Sequence, residues 1–380
     1  MIDYEVLRVI WWLLVGVLLI GFAITDGFDL GVGALLTLVG RTDEERRVMI
    51  NTIGPHWDGN QVWFITAGGA IFAAFPMIYA TAFSGFYLAL FLTLAALWMR
   101  PLGFDYRSKL TNPTWRRAWD WALFAGGIVP ALIFGVALGN VLQGVPFTFD
   151  EILKVTYHGS FWALLNPFAL LAGLVSVAML LMHGSVWLQL KTADRLFERA
   201  RGLSVLLGLA TAALFVLAGI WVSVGIDGYV LVGAVDGLAA SNPMNKAAVL
   251  ESGAWLNNYG RFPLLIVAPL LGIGGALAVA WLSLGCRSGW AFVASSLSLA
   301  GIIFTAGGSM FPFMLPSSAN PSMSLTVWDA SSSETTLMIM LVVALIFVPL
   351  VLAYTAWSFW AMRGRILEQD VTDAKAHTPY

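Results

Sequence analysis

An all-α protein that crosses a membrane about nine times is the fold class this sequence predicts, and three observations predict it. Apolar runs recur from one end of the chain to the other, and each approaches or exceeds the ~20 residues needed to cross a bilayer. Only 11% of the 380 residues are charged while 59% are hydrophobic, whereas about a quarter of a soluble domain is charged. The runs are also too long for porin strands and lack their alternation of apolar and polar residues. The net charge is −2, and no dense basic cluster lies outside short loops. No nucleic-acid partner is expected.

The nine runs fall at 7–38, 49–75, 78–99, 118–142, 161–188, 203–226, 262–284, 289–311 and 335–360. The first begins after Met1-Ile2-Asp3-Tyr4-Glu5, acidic where a signal peptide would be basic, so it is read as a retained helix. The second has a polar start, and leaving it out would give eight spans. Basic residues decide the count. With nine spans, one set of alternate loops (39–48, 100–117, 189–202, 285–288 and 361–380) holds 16 of the 20 lysines and arginines, and the other keeps Arg8, Lys154, Lys246 and Arg261. Basic loops stay cytoplasmic, so the N-terminus is expected outside and the C-terminus inside. Long outer loops are expected at about 143–160, 227–261 and 312–334. Many of the 17 tryptophans sit at span ends, as interfacial anchors do.

Ionisable residues inside membrane helices usually mark ion or proton pathways or lock helices together. In the first run Asp26 and Asp29 are three apart and share a helix face. At ~1.5 Å per residue they lie ~24–29 Å from the outer surface, and Asp58, entering from the other side, lies ~15 Å deep. The densest polar stretch is Pro55-His56-Trp57-Asp58-Gly59-Asn60-Gln61. On a helix His56, Asn60 and Trp63 share one face, with Asp58 on another. Just below, Arg100, Asp105 and Lys109 suggest a hydrophilic track running from Lys109 and Asp105 to Asp58, with Asp26 and Asp29 alongside. The alternative is that Arg100 and an aspartate form an internal ion pair.

His56 is the residue type a haem or metal would use. The chain offers only His158, His183 and His377 besides, and no His/Glu spacing of a di-metal site, so His56 is read as an interface residue. Cys286 is the sole cysteine, which excludes a disulfide framework and Cys-x-x-Cys sites. Phosphate-loop, dinucleotide and serine-elbow motifs are absent. Two classes survive: a free-standing proton-coupled ion or solute transporter, and a subunit of a respiratory complex that conducts protons toward a cofactor held elsewhere.

Longer motifs favour the second. The sequence closely resembles subunit II of the bacterial cytochrome bd-type quinol oxidases through Thr25-Asp26-Gly27-Phe28-Asp29, Pro55-His56-Trp57-Asp58-Gly59-Asn60-Gln61-Val62-Trp63, Arg100-Pro101-Leu102-Gly103-Phe104-Asp105-Tyr106-Arg107, Ile226-Asp227-Gly228-Tyr229 and Trp328-Asp329. The resemblance covers nearly the whole chain and is weakest at 231–262 and beyond Glu368. It implies two four-helix bundles plus a peripheral helix: one bundle within 1–142, five helices within 161–360, and a cytoplasmic tail at 361–380. It further implies a haem-free subunit beside a subunit I that holds two haems b, one haem d and the quinol-oxidising loop. The complex would reduce oxygen to water with cytoplasmic protons, generating proton-motive force without pumping, in a bacterial inner membrane. Small single-helix accessory subunits and a structural quinone in this chain are compatible with the family. Residue by residue, the resemblance assigns Asp58, Asp105 and Lys109 to a proton route and Trp63 to the border of an oxygen route. It makes Asp29 and Arg100 structural or haem-pocket supports reaching the subunit interface. Asp26, Asp120 and His56, the last as an interface hydrogen-bonder, are read as structural or interface residues, and no catalytic residue or metal is expected in this chain.

Overall fold

Thirty-six residues without a proline, Tyr4–Val39, form helix α1, about 54 Å long at 1.5 Å per residue. The computed structural model describes residues 2–233, 235–367, 369 and 370. The end of the expected tail, His377 included, lies outside the described residues. A short helix α2 (Asp43–Ile53) follows, started by a capping box in which Thr42 Oγ1 accepts from the Glu45 amide while the Glu45 carboxylate accepts from Thr42. This pattern satisfies two otherwise orphaned donors.

The second expected run is divided. Gly54-Pro55-His56 interrupts it, and helix α3 spans Trp57–Ala74. Pro76, which cannot donate a backbone hydrogen bond and restricts the residue before it, opens helix α4 (Pro76–Gly85) at 119° to α3. The third expected run, 78–99, is therefore displaced: residues 76–85 belong to α4, and the long apolar helix is α5, Tyr87–Tyr106. Arg100, expected in a loop, lies inside α5. Among the described residues eight helices are long and apolar enough to cross a membrane, and α3 with α4 adds a ninth as a broken pair.

The remaining helices match their runs within a few residues, apart from an earlier start for α8 and later starts for α7 and α10. Asn112 caps α6 (Pro113–Gln143) and Asn166 caps α7 (Pro167–Lys191), each followed by proline at the first helical position, where its missing N–H is not needed. Helix α8 covers Asp194–Gly225, the short α9 Asn257–Arg261, α10 Val267–Leu284, α11 Ser288–Met310 and α12 Glu334–Ala361.

Helices α7, α8, α10 and α11 form a closed ring in which each packs on two neighbours. Helices α1, α3, α5 and α6 form an open group. There α1 lies between α3 and α6, α5 packs on α6, and α3 and α5 make at most marginal contact. The groups join through α1 on α7 and α6 on α7. At the α1–α7 crossing Gly31 and Gly184 face each other so closely that a Cβ on Gly184 would lie 2.6 Å from the Gly31 carbonyl carbon. Helix α12 touches mainly α1 and is exposed along most of its length.

Three antiparallel hairpins, unexpected from the sequence, occupy the long loops at one end. They pair β1 (Phe147–Phe149) with β2 (Val155–Tyr157), β3 (Asp227–Val232) with β4 (Ala247–Ser252), and β5 (Phe313–Leu315) with β6 (Leu325–Thr326). Two of the four basic residues expected on that side fasten it. Arg8 is fully buried; its Nη1 donates to the Gly237 carbonyl (2.6 Å), Nη2 to that of Ala239 (2.8 Å) and Nε to Ser331 Oγ (2.8 Å). Lys246 pairs with Asp329 at 2.9 Å. The opposite end carries α2.

Candidate functional site

The open side of the first helix group is bridged by charge. Arg100 of α5 grips Asp26 of α1 with both terminal nitrogens, Nη1 to Oδ2 at 2.9 Å and Nη2 to Oδ1 at 2.5 Å. This two-pronged geometry is the strongest a guanidinium makes with a carboxylate. Asp29, one turn along α1, accepts from Asn60 Nδ2 of α3 at 2.8 Å and lies 3.9 Å from Arg100 Nη2. All four side chains are buried, at 0–2% exposure. Two carboxylates face one guanidinium, so the cluster neutralises itself when one carboxyl carries a proton. Among the described residues Asp29 Oδ1 and Arg100 Nε have no partner. Thus α3 and α5, which barely touch, are each tied to α1 by a polar side chain.

A second ionic network closes the α2 end. Asp120 of α6, buried, accepts from Arg107 Nε at 2.5 Å and Arg46 Nη1 at 2.7 Å. Arg107 also donates to Asp43 at 2.8 Å, and Arg116 to the other Asp43 oxygen at 2.5 Å. Beside it Arg199 of α8 grips Glu45 of α2. The Arg199 guanidinium, helped by the amides of Arg41 and Thr42 and opposed by burial, holds the Glu45 carboxyl down at about 2.

The structure separates the residues expected to form one track. Asp26, Asp29 and Arg100 come together, joined by Asn60, and the internal ion pair weighed as the alternative for Arg100 is present. Asp120 belongs to the second network. Asp58, Asp105 and Lys109 instead face outward, all three exposed on the surface of the chain. Asp58 shares the outer face of α3 with Val62 and Ile65, 48% and 67% exposed.

His56 precedes α3 and is buried. Its ring stacks on Phe359 of α12 (centroids 4.4 Å apart, planes 9°) and meets Trp187 edge-on. Among the described residues it makes an aromatic contact in place of the expected hydrogen bond. Trp63 is 9% exposed and lies flat on Gly21 of α1, where a Cβ would stand 2.5 Å from Trp63 Cε3. Sequence reasoning missed the pairings of Asn60 with Asp29 and of Glu45 with Arg199. The first was readable from the shared face of His56, Asn60 and Trp63, and half of the second from the Thr42-x-x-Glu45 capping pattern.

Eight helices among the described residues are long and apolar enough to cross a membrane, nine with the broken pair, and an aspartate–arginine cluster is buried between α1, α3 and α5. Together they define an integral membrane protein with ionisable groups inside one helix group. The family model for cytochrome bd terminal oxidase subunit II matches residues 7–362, and the chain belongs to that family. It is 57% identical over all 380 residues to a probable cytochrome oxidase subunit 2 of Haemophilus influenzae, the full length of both chains. It is 56% identical, again over both full lengths, to the cytochrome bd-I ubiquinol oxidase subunit 2 of Escherichia coli. A Bacillus subtilis cytochrome bd ubiquinol oxidase subunit 2 is 33% identical over 95% of this chain and 97% of its own. The solved bd oxidase from Geobacillus thermodenitrificans shares the fold, with a TM-score of 0.69 at 17% identity, covering 94% of this chain and 99% of that one. The chain is thus a subunit of a terminal quinol oxidase of the electron-transport chain, and family membership decides against the free-standing transporter.

Proposed function

We propose that this chain is the haem-free subunit II of a quinol:oxygen oxidoreductase, seated against a haem-bearing subunit I. In this reading it admits cytoplasmic protons to the partner's oxygen-reducing haem through Asp58, with Asp105 and Lys109 at the entrance. The observation that carries the proposal is the outward-facing Asp58 on α3, set beside exposed Val62 and Ile65. A carboxylate at that depth costs about 2.5–3.5 kcal/mol against lipid, so this face is suited to cover by another protein chain and not by hydrocarbon.

The histidines support a haem-free assignment. His183 has both ring nitrogens engaged, Nε2 donating to the Ile24 carbonyl at 2.9 Å and Nδ1 meeting Ser295 Oγ at 2.7 Å. The His56 ring is packed against Phe359. A cavity of about 200 Å³ between α5 and α6 is lined only by apolar side chains, Phe86, Leu132 and Leu164 among them, and offers no axial ligand. These residues do not fit a haem, and the two haems b and the haem d are assigned to subunit I. Whether the family's structural quinone or small accessory subunits accompany this chain has no bearing on the Asp58 route.

The same reading orients the chain in a bacterial inner membrane, with the hairpin end and N-terminus outside and the α2 end and C-terminus inside. It takes the two helix groups as the family's pair of four-helix bundles (the first within 1–142), with α12 peripheral. Trp63, packed on Gly21, borders the oxygen route. The Asp26–Arg100–Asp29–Asn60 cluster braces the wall that faces subunit I, and Asp120 and His56 brace the inner end. The test is Asp58→Asn in the assembled complex, with the haem spectrum retained. Turnover and proton uptake are expected to fall by about 100-fold, the low end of what a positioned proton donor contributes. Unchanged turnover with unchanged uptake overturns the route.

A further inference from the structure

Hydroxyl groups in the closed ring of α7, α8, α10 and α11 follow one habit. Ser185 and Ser204 each donate to a backbone carbonyl of their own helix, both at 2.8 Å, and Ser295 donates to His183 Nδ1 at 2.7 Å. Ser298 of α11 donates across to the Gly272 carbonyl of α10 at 2.7 Å. Four polar side chains break the habit, Thr211 midway along α8 and three near the α2 end. Gln189 of α7 has neither amide atom partnered among the described residues, and the hydroxyls of Ser283 on α10 and Ser288 on α11 are equally without partners. Gln189 and Ser283 are fully buried and Ser288 is 6% exposed. A buried amide left unpaired costs about 1–3 kcal/mol, so three such groups scattered at random would be a heavy burden on the fold.

They are not scattered. His183 meets Ser295, which fixes the level of α7 against antiparallel α11. Gln189 lies six residues beyond His183 and Ser288 seven before Ser295, so at about 1.5 Å per residue the two stand within ~2 Å of one level. The Ser298–Gly272 bond fixes α10 against α11 in the same way. Ser283 lies eleven residues beyond Gly272 and Ser288 ten before Ser298, which again agrees within ~2 Å. Faces agree as well. Val186, Val279 and Ala291 belong to one apolar cluster that runs through both helix groups, and Gln189, Ser283 and Ser288 each follow one of these by a single helical turn toward the α2 end. Three unpaired polar groups therefore close the end of one apolar core together.

We propose that the α2 end of the second helix group holds a small cluster of buried water, bound by the Gln189 amide and the Ser283 and Ser288 hydroxyls. The donor set selects the ligand. Three neutral side chains supply too few oxygens to replace an ion's hydration shell, so an ion would lose more in leaving solvent than it gained there. An amide with two donors and two acceptors, with two hydroxyls that donate and accept, matches the two to four partners a buried water needs. The inference stands independently of the Asp58 route.

A structure of the assembled complex at a resolution that shows ordered solvent tests it without any variant. Density within hydrogen-bonding distance of the Gln189 amide and of at least one of the two serine hydroxyls is expected. A dry layer, or density for a larger molecule, overturns it. Gln189→Leu in the same complex gives a second reading. If water fills the layer, the variant strands it and Tm falls; if the layer is dry, the variant removes an unpaired amide and Tm rises, which also overturns the proposal. Should Gln189→Leu fail to assemble, Ser283→Ala reads the same sign.

Discussion

The first helix group holds ionisable side chains deep in its wall, Asp26, Asp29 and Arg100 at 0–2% exposure. The second holds neutral groups, with His183, Ser295 and Ser298 shared between helices at 2.7 Å. Their packing differs in the same sense. The second is a closed ring whose helices meet on glycine: a Cβ on Gly301 would lie 2.6 Å from the Ala268 carbonyl oxygen, and one on Gly275 2.8 Å from that of Ala294. The first also meets on glycine, where a Cβ on Gly127 of α6 would run into the Leu30 carbonyl of α1 and one on Gly126 would stand 2.9 Å from the Ala96 carbonyl oxygen of α5. It is open between α3 and α5, however, and there Asn60–Asp29 and Arg100–Asp26 add polar cross-links to α1. Van der Waals contact suffices where backbones approach closely. Where two helices of a group do not meet, as α3 and α5 do not, polar cross-links to a shared neighbour hold them in place. In the proposed reading the open wall braced by charge is the one that docks on subunit I, and the closed ring is its scaffold.

The sharpest way to break this comparison is to remove Arg100. Arg100→Leu leaves Asp26 and Asp29 buried without their cation, and breaking one side of a buried pair costs about 3–5 kcal/mol. The complex is expected to lose that much stability and to assemble poorly, measured by thermal unfolding and by haem content of the purified oxidase. Arg100→Leu combined with Asp26→Leu is expected to recover most of the loss, because replacing both partners with apolar residues is often neutral. If the single variant is as stable as the parent, the cluster does not brace the open group.

Glycine contact in the second group predicts a smaller effect. Gly301→Ala drives a methyl into the backbone of α10 at Ala268 and Leu271, and overpacking of this kind costs about 1–3 kcal/mol. Gly274→Ala, on the partner helix α10 but with nothing within 4 Å of its Cβ position, is the matched control and should leave Tm unchanged. Equal effects at both positions would mean that helix propensity, and not close contact, sets the stability of the ring.

Much of this contrast was legible in the sequence, and the reasons for the exceptions are physical. Hydropathy placed most of the long helices within a few residues, since a run of apolar residues flanked by charge has no other stable place. It failed at 76–85, where Pro76 turns the chain by 119° although the residues on both sides are equally apolar. Composition also put Arg100 in a loop with its neighbour Pro101, because a charge beside a proline usually ends a helix; the Asp26 pair keeps it inside α5. Asp26 and Asp29 were recognisable as a pair three residues apart, but a partner 74 positions away in sequence is a tertiary fact. The hairpins escaped because their strands are only two to six residues long. Gln189, Ser283 and Ser288 gave no signal, since lone polar residues near span ends are ordinary.

The smallest expected effect belongs to the junction between the groups, where Arg199 of α8 holds Glu45 of α2. Glu45 is 4% exposed, and its carboxyl sits at about 2 against an ordinary 4.5. A carboxyl whose pKa is lower in the folded chain than in the unfolded one contributes stability that is complete above the unfolded value and is lost as pH falls through the folded one. The Glu45 contribution is therefore full above about pH 4.5 and disappears as pH approaches 2. Glu45→Gln should cost on the order of 1 kcal/mol at neutral pH, held down because Arg199 is partly exposed and screened. Unfolding of the parent and of Glu45→Gln, followed in detergent from pH 7 downward, should converge as the pH falls through that window. A gap that stays constant with pH would assign the effect to the capping contact with Thr42, and charge would then cross-link only the open group and not the joint between the two.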